Sequence, residues 1–387
     1  MDTELFLQML HIDSTSGKEG EFAAFLAERL LTEKCRLERF PVESMRNACP
    51  EGCPLPENLL FSWGTPKVIF CTHLDTVPPY ISPDVCHPEP SHCHPERSEG
   101  SFNSVIYGRG TCDAKGQIFA MYQACLELEK QGYTDFGLLF LAGEETGSFG
   151  AKAFNQISGY VSSDEILLVV GEPTDNCMAS AAKGTKSFEI EFEGEAFHSG
   201  YPGHGRSAVM MFNDFVNALR SIGFPSDPVL GETTWNIGKL HSDNPQNILS
   251  DRLTCRVYFR TTFESDEMVC NVMKNIAGPQ ARLRFGRPRV QDGSDIVAKD
   301  VADWQRYMKV TAFGGDAPTR FEVLEGFPVK PVSFGSDAPQ LTTFRHKILC
   351  GPGSILVAHR DDEHIMLQDL ETAVQNYIDI YKRSVVE

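Results

Sequence analysis

No stretch of the 387-residue chain approaches 18 uninterrupted apolar residues, so no membrane-spanning helix is expected. The N-terminus, Met1-Asp2-Thr3-Glu4, lacks the basic region and the apolar region of a secretory signal, so none is expected either. Positive charge is scarce. Lys and Arg number 35 against 53 Asp and Glu, a formal net charge of −18. Such a balance argues against nucleic acid and anionic membrane surfaces as partners, since both demand a basic face. Cys-x-x-Cys pairs are missing despite 12 cysteines, which removes the usual basis of a redox or metal-buffering protein. Cys71, Cys125 and Cys255 lie inside or beside apolar runs, as reduced and buried thiols do. Together these absences predict a cytoplasmic protein.

What remains is an ordinary globular composition, 41% apolar and 23% charged, in a chain long enough for a large core and two domains. The first 40 residues read as helical, with Ser16-Gly17-Lys18-Glu19 spaced as a capping box before an amphipathic run to Leu31. Short apolar runs then alternate with helical spacing: Val68–Cys71, Ile118–Leu128, Phe136–Ala142 and Glu165–Val170. That alternation predicts an α/β fold, a mainly parallel sheet covered by helices. Near Lys183 the pattern changes. Ser187–Glu193 and Leu253–Phe259 alternate polar with apolar, and Ser207–Ile222 has helical spacing. Residues 181–291 therefore read as an α+β domain inserted into a first domain formed by 1–180 and 292–387. In the first domain, Val323–Val332 and Ile348–Val357 are strand-like and Leu367–Arg383 helical.

The segment 86–101 stands apart. His-Pro-Glu occurs at 87–89 and again at 94–96, and core-forming residues are almost absent, so an exposed loop insertion is expected. Its Cys and His spacing matches no closed zinc pattern.

Five motifs carry the chemistry: His73-Leu74-Asp75, Gly108–Gly116 containing Asp113, Gly143-Glu144-Glu145, Gly171-Glu172-Pro173-Thr174, and His359 within Ala358–Glu363. Four of them follow directly on an apolar run. In an open α/β sheet, ligands bind beyond the carboxyl ends of the strands. The topology would therefore gather His73, Asp113, Glu145, Glu172 and His359 in one crevice. Two imidazoles and three carboxylates suit a pair of zinc ions sharing one carboxylate. Taken singly, each motif has a plainer reading. His-x-Asp is a common polar pair, Glu144-Glu145 a solvated pair, Glu172-Pro173 a turn, and Asp113 a helix cap.

As an ordered set, these motifs resemble the co-catalytic zinc metallopeptidases that include acetylornithine deacetylase, succinyl-diaminopimelate desuccinylase, aminoacylase-1 and carboxypeptidase G. The matching blocks are Thr72–Pro78, Tyr107–Gly116, Ala142–Glu145, Gly171–Thr174, Phe197-His198-Ser199-Gly200 and Ala358-His359, and they span nearly the whole chain. The resemblance implies a zinc exopeptidase-like catalytic domain with a lid and dimerisation domain inserted into it. It implies two zinc ions, for which cobalt or manganese can substitute. His73 and Glu172 would complete one site, Glu145 and His359 the other, with Asp113 bridging and His364 the next candidate should His359 fail. Asp75 would orient His73. Glu144 would be the general base. His198 would reach the partner's site in a homodimer and stabilise the tetrahedral intermediate.

Substrate contacts are less narrowly specified. Gln246, Asn247 and Arg260 resemble lid positions that grip a substrate carboxylate, although Arg260 also suits an exposed ion pair. Gly335-Ser336-Asp337 resembles a substrate-contacting turn and equally a plain tight turn. The implied reaction is hydrolysis of an N-acyl amino acid. An acetylornithine deacetylase-like substrate is favoured, with a place in arginine biosynthesis. Desuccinylation of a diamino acid and cleavage of dipeptides are alternatives within the family, and a non-catalytic metal- or ligand-binding relative is the alternative outside it. Segment 86–101 departs from the family pattern, lying where relatives have a short connection.

Overall fold

Val68–His73, Phe136–Leu141 and Leu167–Val170 carry few polar side chains, and each forms a strand buried on both faces, or nearly so. Such strands belong in the interior of a covered sheet. The computed structural model describes residues 1–86, 104–157, 165–277 and 303–385. Two units are distinguished: Met1–Ser180 with Arg320–Val332 and Ser336–Glu387, and Ala181–Thr319 with Ser333–Gly335.

In the first unit a six-stranded sheet runs in the order Cys35–Pro41, Glu57–Trp63, Phe136–Leu141, Val68–His73, Leu167–Val170, His346–Leu349. The last four are mutually parallel and the first two antiparallel additions. The expected mainly parallel α/β fold is therefore present. Lys115–Lys130 is buried on all sides over its first two turns, Leu367–Val385 is buried along one face, and Thr3–Leu10 lies on the former, with Phe6 stacked on Phe119 at 5.0 Å between ring centroids. These helices and the sheet share one apolar core.

Two N-terminal expectations are corrected. Residues 35–41 form an edge strand, not a helix. The alternation Cys35-Arg36-Leu37-Glu38 has period two, and an edge tolerates the exposed charges. The capping box is also not made. The helix spans Glu19–Arg29 and has no side-chain cap. Glu19 is buried, accepts the Gly17 N–H at 2.7 Å, and burial together with the Asp75 charge pushes its carboxyl up to about 8. Ser16 donates its hydroxyl instead to Asp75, 59 residues away.

In the second unit, a four-stranded antiparallel sheet has the order Thr234–His241, Arg252–Thr261, Gly184–Glu193, Met308–Ala312. Alternate residues of the central strands, among them Phe188, Ile190, Phe192, Leu253, Val257 and Phe259, form a core with the helices Ala208–Arg220 and Asp266–Asn275. The unit continues to Thr319 rather than ending at 291. The cause is Met308–Ala312, which pairs with Gly184–Glu193 in the register Met308↔Phe192. Five residues of weak alternation do not reveal that partner in sequence.

The insertion at 86–101 lies outside the described residues apart from Cys86. The strands on either side pair antiparallel, Asp84↔Tyr107 and Cys86↔Val105, so the segment joins the two arms of one hairpin. No described helix is long and apolar enough to cross a membrane.

Candidate active site

Four site residues sit at the carboxyl ends of three parallel strands. His73 is the last residue of Val68–His73, Glu144 and Glu145 follow Phe136–Leu141, and Glu172 follows Leu167–Val170. Asp113 sits in the turn before Lys115–Lys130, and the Asp113–Ala114 peptide is cis. His359 lies in a loop beyond His346–Leu349 with φ +63°, a left-handed conformation that a side chain of this size adopts at a cost.

All five converge. The ligand atoms of His73, Asp113 and Glu145 lie within 4.8 Å of one another. The Asp113 carboxylate faces a different imidazole at each oxygen: His73 Nε2 is 2.9 Å from Oδ1, and His359 Nε2 is 3.3 Å from Oδ2. His359 Nε2 also lies 2.9 Å from Glu145 Oε1. Glu172 is buried, and its charge acts on His73 and Asp113. His364, the alternative to His359, does not join them. Its Nδ1 lies 2.7 Å from the Asp362 carbonyl and its ring packs on Tyr107.

The electrostatics are those of a cation site. Hydrogen bonds to Asp113 and Glu145 push His359 up to about 10 against the opposing effect of burial. Burial disfavours a charged His73, but Asp113 and Asp75 outweigh it and raise its pKa well above the ordinary range. Burial would raise Asp113, yet bonds to His359 and His73 hold it low. Glu172 and Glu144 are driven upward, first by burial and then by their acidic neighbours. So many carboxylates in one cleft repel one another unless positive charge is held among them. The donor set, imidazole nitrogen and carboxylate oxygen, fits divalent metals of the zinc group.

Asp75 plays a wider part than the sequence suggests. His73 Nδ1 lies 2.9 Å from its backbone carbonyl and 3.5 Å from Oδ1, so the nearer partner of the ring is the main chain. The carboxylate accepts the N–H groups of Glu144 at 2.9 Å and Glu145 at 3.1 Å, and the Ser16 hydroxyl at 2.9 Å. It therefore caps the short Glu144–Gly147 turn that carries both glutamates. Gly143, at φ +72°, makes the entry: a Cβ there would stand 2.7 Å from Met45 Sδ. An Asp75→Asn change keeps one acceptor oxygen and turns an NH2 group toward donors. It is expected to lower kcat/KM or metal affinity about 10–100-fold. Metal titration beside steady-state kinetics checks this, and values near wild type on both would show those amide contacts to be dispensable.

The remaining sequence-derived candidates divide between the units. Ser336 and Asp337 are buried in the first unit; Ser336 Oγ accepts the Ala338 N–H at 3.3 Å, and the Asp337 charge helps raise Glu144. In the second unit His198 and Asn247 come together: the chain bridges at His198↔Ile248, and Ser199 N–H donates to the Asn247 carbonyl at 2.9 Å. Gln246 and Asn247 are exposed in a turn. Gly200 N–H donates to His198 Nδ1 at 3.1 Å, which leaves the ring proton on Nε2. Arg260 stands elsewhere in the unit, over the Tyr258 ring at 5.1 Å and near Gly335. Among the described residues no carboxylate pairs with it.

Three participants escaped the sequence reading: half-buried Ser16 and the buried Arg109 and Glu363. Ser16 was masked by its capping-box spacing, and Glu363 by the acidic run in which it stands.

Residues 69–383 match the model of peptidase family M20/M25/M40. A probable carboxypeptidase of Aspergillus niger is 31% identical over 397 aligned positions, covering 97% of this chain and 88% of that protein. A tripeptidase of Staphylococcus aureus superposes with TM-score 0.73 at 18% identity, over 100% of this chain and 98% of the other. A Bacillus subtilis protein described as a dinuclear metal-binding peptidase of family M20 superposes at 0.60, with 11% identity over 99% and 98%. The fold and the site define a metal-dependent hydrolase of amide bonds. The chain belongs to the M20/M25/M40 family of peptidases.

Proposed function

We propose that the protein is a dinuclear zinc exopeptidase that cleaves the amide joining an acyl or peptidyl group to an amino acid with a free α-carboxylate. One observation carries the reaction class: each oxygen of Asp113 faces a different histidine, with Glu144 alongside. In this reading His73 and Glu172 hold one metal, Glu145 and His359 the other, and Asp113 both. Zinc is the expected ion, with cobalt or manganese able to replace it. When bound, such a pair supplies Lewis acidity toward the carbonyl and lowers the pKa of water.

The protein's own groups do the rest. Glu144, held in place through its N–H by Asp75, takes the proton of the attacking water and delivers it to the leaving amine. His198, with its proton on Nε2, has the donor that a developing oxyanion needs; as in the homodimeric relatives implied by the resemblance, we assign it to the partner chain's site. Arg260, unpaired by any described acid, suits the substrate carboxylate through its planar fork.

The amino-acid leaving group is common to a carboxypeptidase, a dipeptidase and a deacylase. The 31% identity with a probable carboxypeptidase favours peptides as substrates. Deacylation of N-acetylornithine or N-succinyl-diaminopimelate is the second reading, and it uses the same machinery. The test is hydrolysis by the metal-loaded protein of a panel of dipeptides, N-blocked dipeptides, N-acetylornithine, N-acetylmethionine and N-succinyl-diaminopimelate. Preference for peptides with a free carboxyl end supports the proposal. A preference for N-acetylornithine by orders of magnitude moves the protein to the deacylases, and indifference to amidation of the carboxyl end rejects the role of Arg260. Recovered activity on mixing His198→Ala with Glu144→Ala protein supports the homodimer, and its absence counts against it.

A further inference from the structure

Asp361-Asp362-Glu363 reads as solvated charge, and its first two residues are exposed. Glu363 is buried at 1% exposure. Its Oε1 accepts three backbone N–H groups, from Gly110 at 2.9 Å and from Cys112 and Asp113 at 3.1 Å each. Its Oε2 pairs with Arg109 at 2.5 Å, which is itself buried. The guanidinium also donates to the carbonyls of Pro79 and Arg360, each at 3.2 Å. Gly108 N–H returns a bond to the Glu363 carbonyl at 2.9 Å. Three segments are thereby joined: the stretch beyond Asp75, the loop ending in Asp113, and the loop that begins at His359.

A buried ion pair is a poor device for stability, because removing two charges from water costs about what their attraction returns. Its placement here has a more specific consequence. Three amide dipoles, those of Gly110, Cys112 and Asp113, converge on one oxygen, while Thr111 N–H donates to the Gly108 carbonyl at 3.3 Å, so the peptide planes from Gly110 to Asp113 have little freedom to rotate. The Asp113 side chain leaves the backbone at the end of that arc, and His359 lies four residues before Glu363 in the same chain. We propose that Glu363 is a positioning residue: by gathering the amides of Gly110, Cys112 and Asp113 onto its carboxylate, it sets the angle at which Asp113 faces His359. The inference rests on the dinuclear reading of the site and adds a residue that touches neither metal nor substrate.

Reach, not charge, is the property under test. Glu363→Gln keeps the length of the side chain and an oxygen for the three amides, but loses the charge opposite Arg109. Glu363→Asp keeps the charge but is one methylene short. Metal-free protein is titrated with Zn2+ by calorimetry, its Tm is measured, and kcat and KM are determined after loading. For E363D, zinc affinity is expected to fall about tenfold or more and kcat similarly, with KM within about threefold. E363Q is expected to stay within about threefold of wild type in zinc affinity although its Tm drops, because Arg109 is left unpaired. If E363Q loses zinc as badly as E363D, or if affinity simply follows Tm, the residue is structural and the proposal is overturned. Should E363D not fold, R109K serves, since it spares the three amide bonds while losing those to Pro79 and Arg360. Zinc affinity within about threefold of wild type supports the proposal there, and a tenfold loss overturns it. A wild-type protein that binds no divalent cation would overturn the dinuclear reading, and this inference with it.

Discussion

Glu144→Gln is expected to lower kcat about a thousandfold, within the range for loss of a general acid–base group. Metal content is expected to remain that of wild type and KM to change little. The reason lies in how the residue is held. Its backbone N–H is fixed by Asp75, so the substitution leaves the turn intact. Its carboxyl is not part of the compact His73, Asp113 and Glu145 group. Glutamine fills the same space and accepts no proton. Steady-state kinetics with elemental analysis of the purified variant checks this. Turnover near wild type would remove Glu144 from the reaction, and loss of metal would make it a ligand.

His359→Ala is expected to bind one equivalent of zinc per chain where the wild type binds two. Activity should fall by more than about a hundredfold, beyond the 10–100-fold typical of partners outside the ligand sphere. His359 contacts Glu145 and the second oxygen of Asp113 together, and among the described residues no neighbouring imidazole replaces it. His364 is turned toward Tyr107 and bonded to the Asp362 carbonyl. The left-handed backbone at His359 indicates that the loop is shaped to present this ring. Equilibrium dialysis settles the stoichiometry. Two equivalents retained would show that His359 is not a ligand.

The first outcome concerns a residue that stands out in the sequence, because Glu144 follows a run of apolar side chains. A covered parallel strand must be apolar throughout, so the first polar residues beyond its end are conspicuous, and strand ends are where such sheets bind ligands. His73, Glu144, Glu145 and Glu172 are legible on that ground, and so is the α/β architecture. Asp113 and His359 sit in loops and are legible through the resemblance of whole motifs. The substrate contacts are harder to read. Arg260 and His198 lie in the second unit, where sequence shows an alternating strand and a polar loop but not what each side chain meets.

Local pattern misled in three places for one reason. Ser16 through Glu19 has the letters of a capping box, yet Ser16 bonds to Asp75 and Glu19 is buried. Cys35–Pro41 is an edge strand because Glu57–Trp63 lies beside it. Met308–Ala312 belongs to the second unit because it finds Gly184–Glu193. Each outcome depends on a partner remote in the chain.

The sequence by itself determined the family, the class of reaction, the alternating α/β frame and the set of metal-binding candidates, because periodicity and motif order are local properties of the chain. Tertiary structure alone decided that Asp113 turns one oxygen to each histidine, that His359 and not His364 faces it, and that Asp75 and Glu363 spend their carboxylates on backbone amides. A carboxylate's role follows from which donors surround it, and those donors come from segments that only folding brings together.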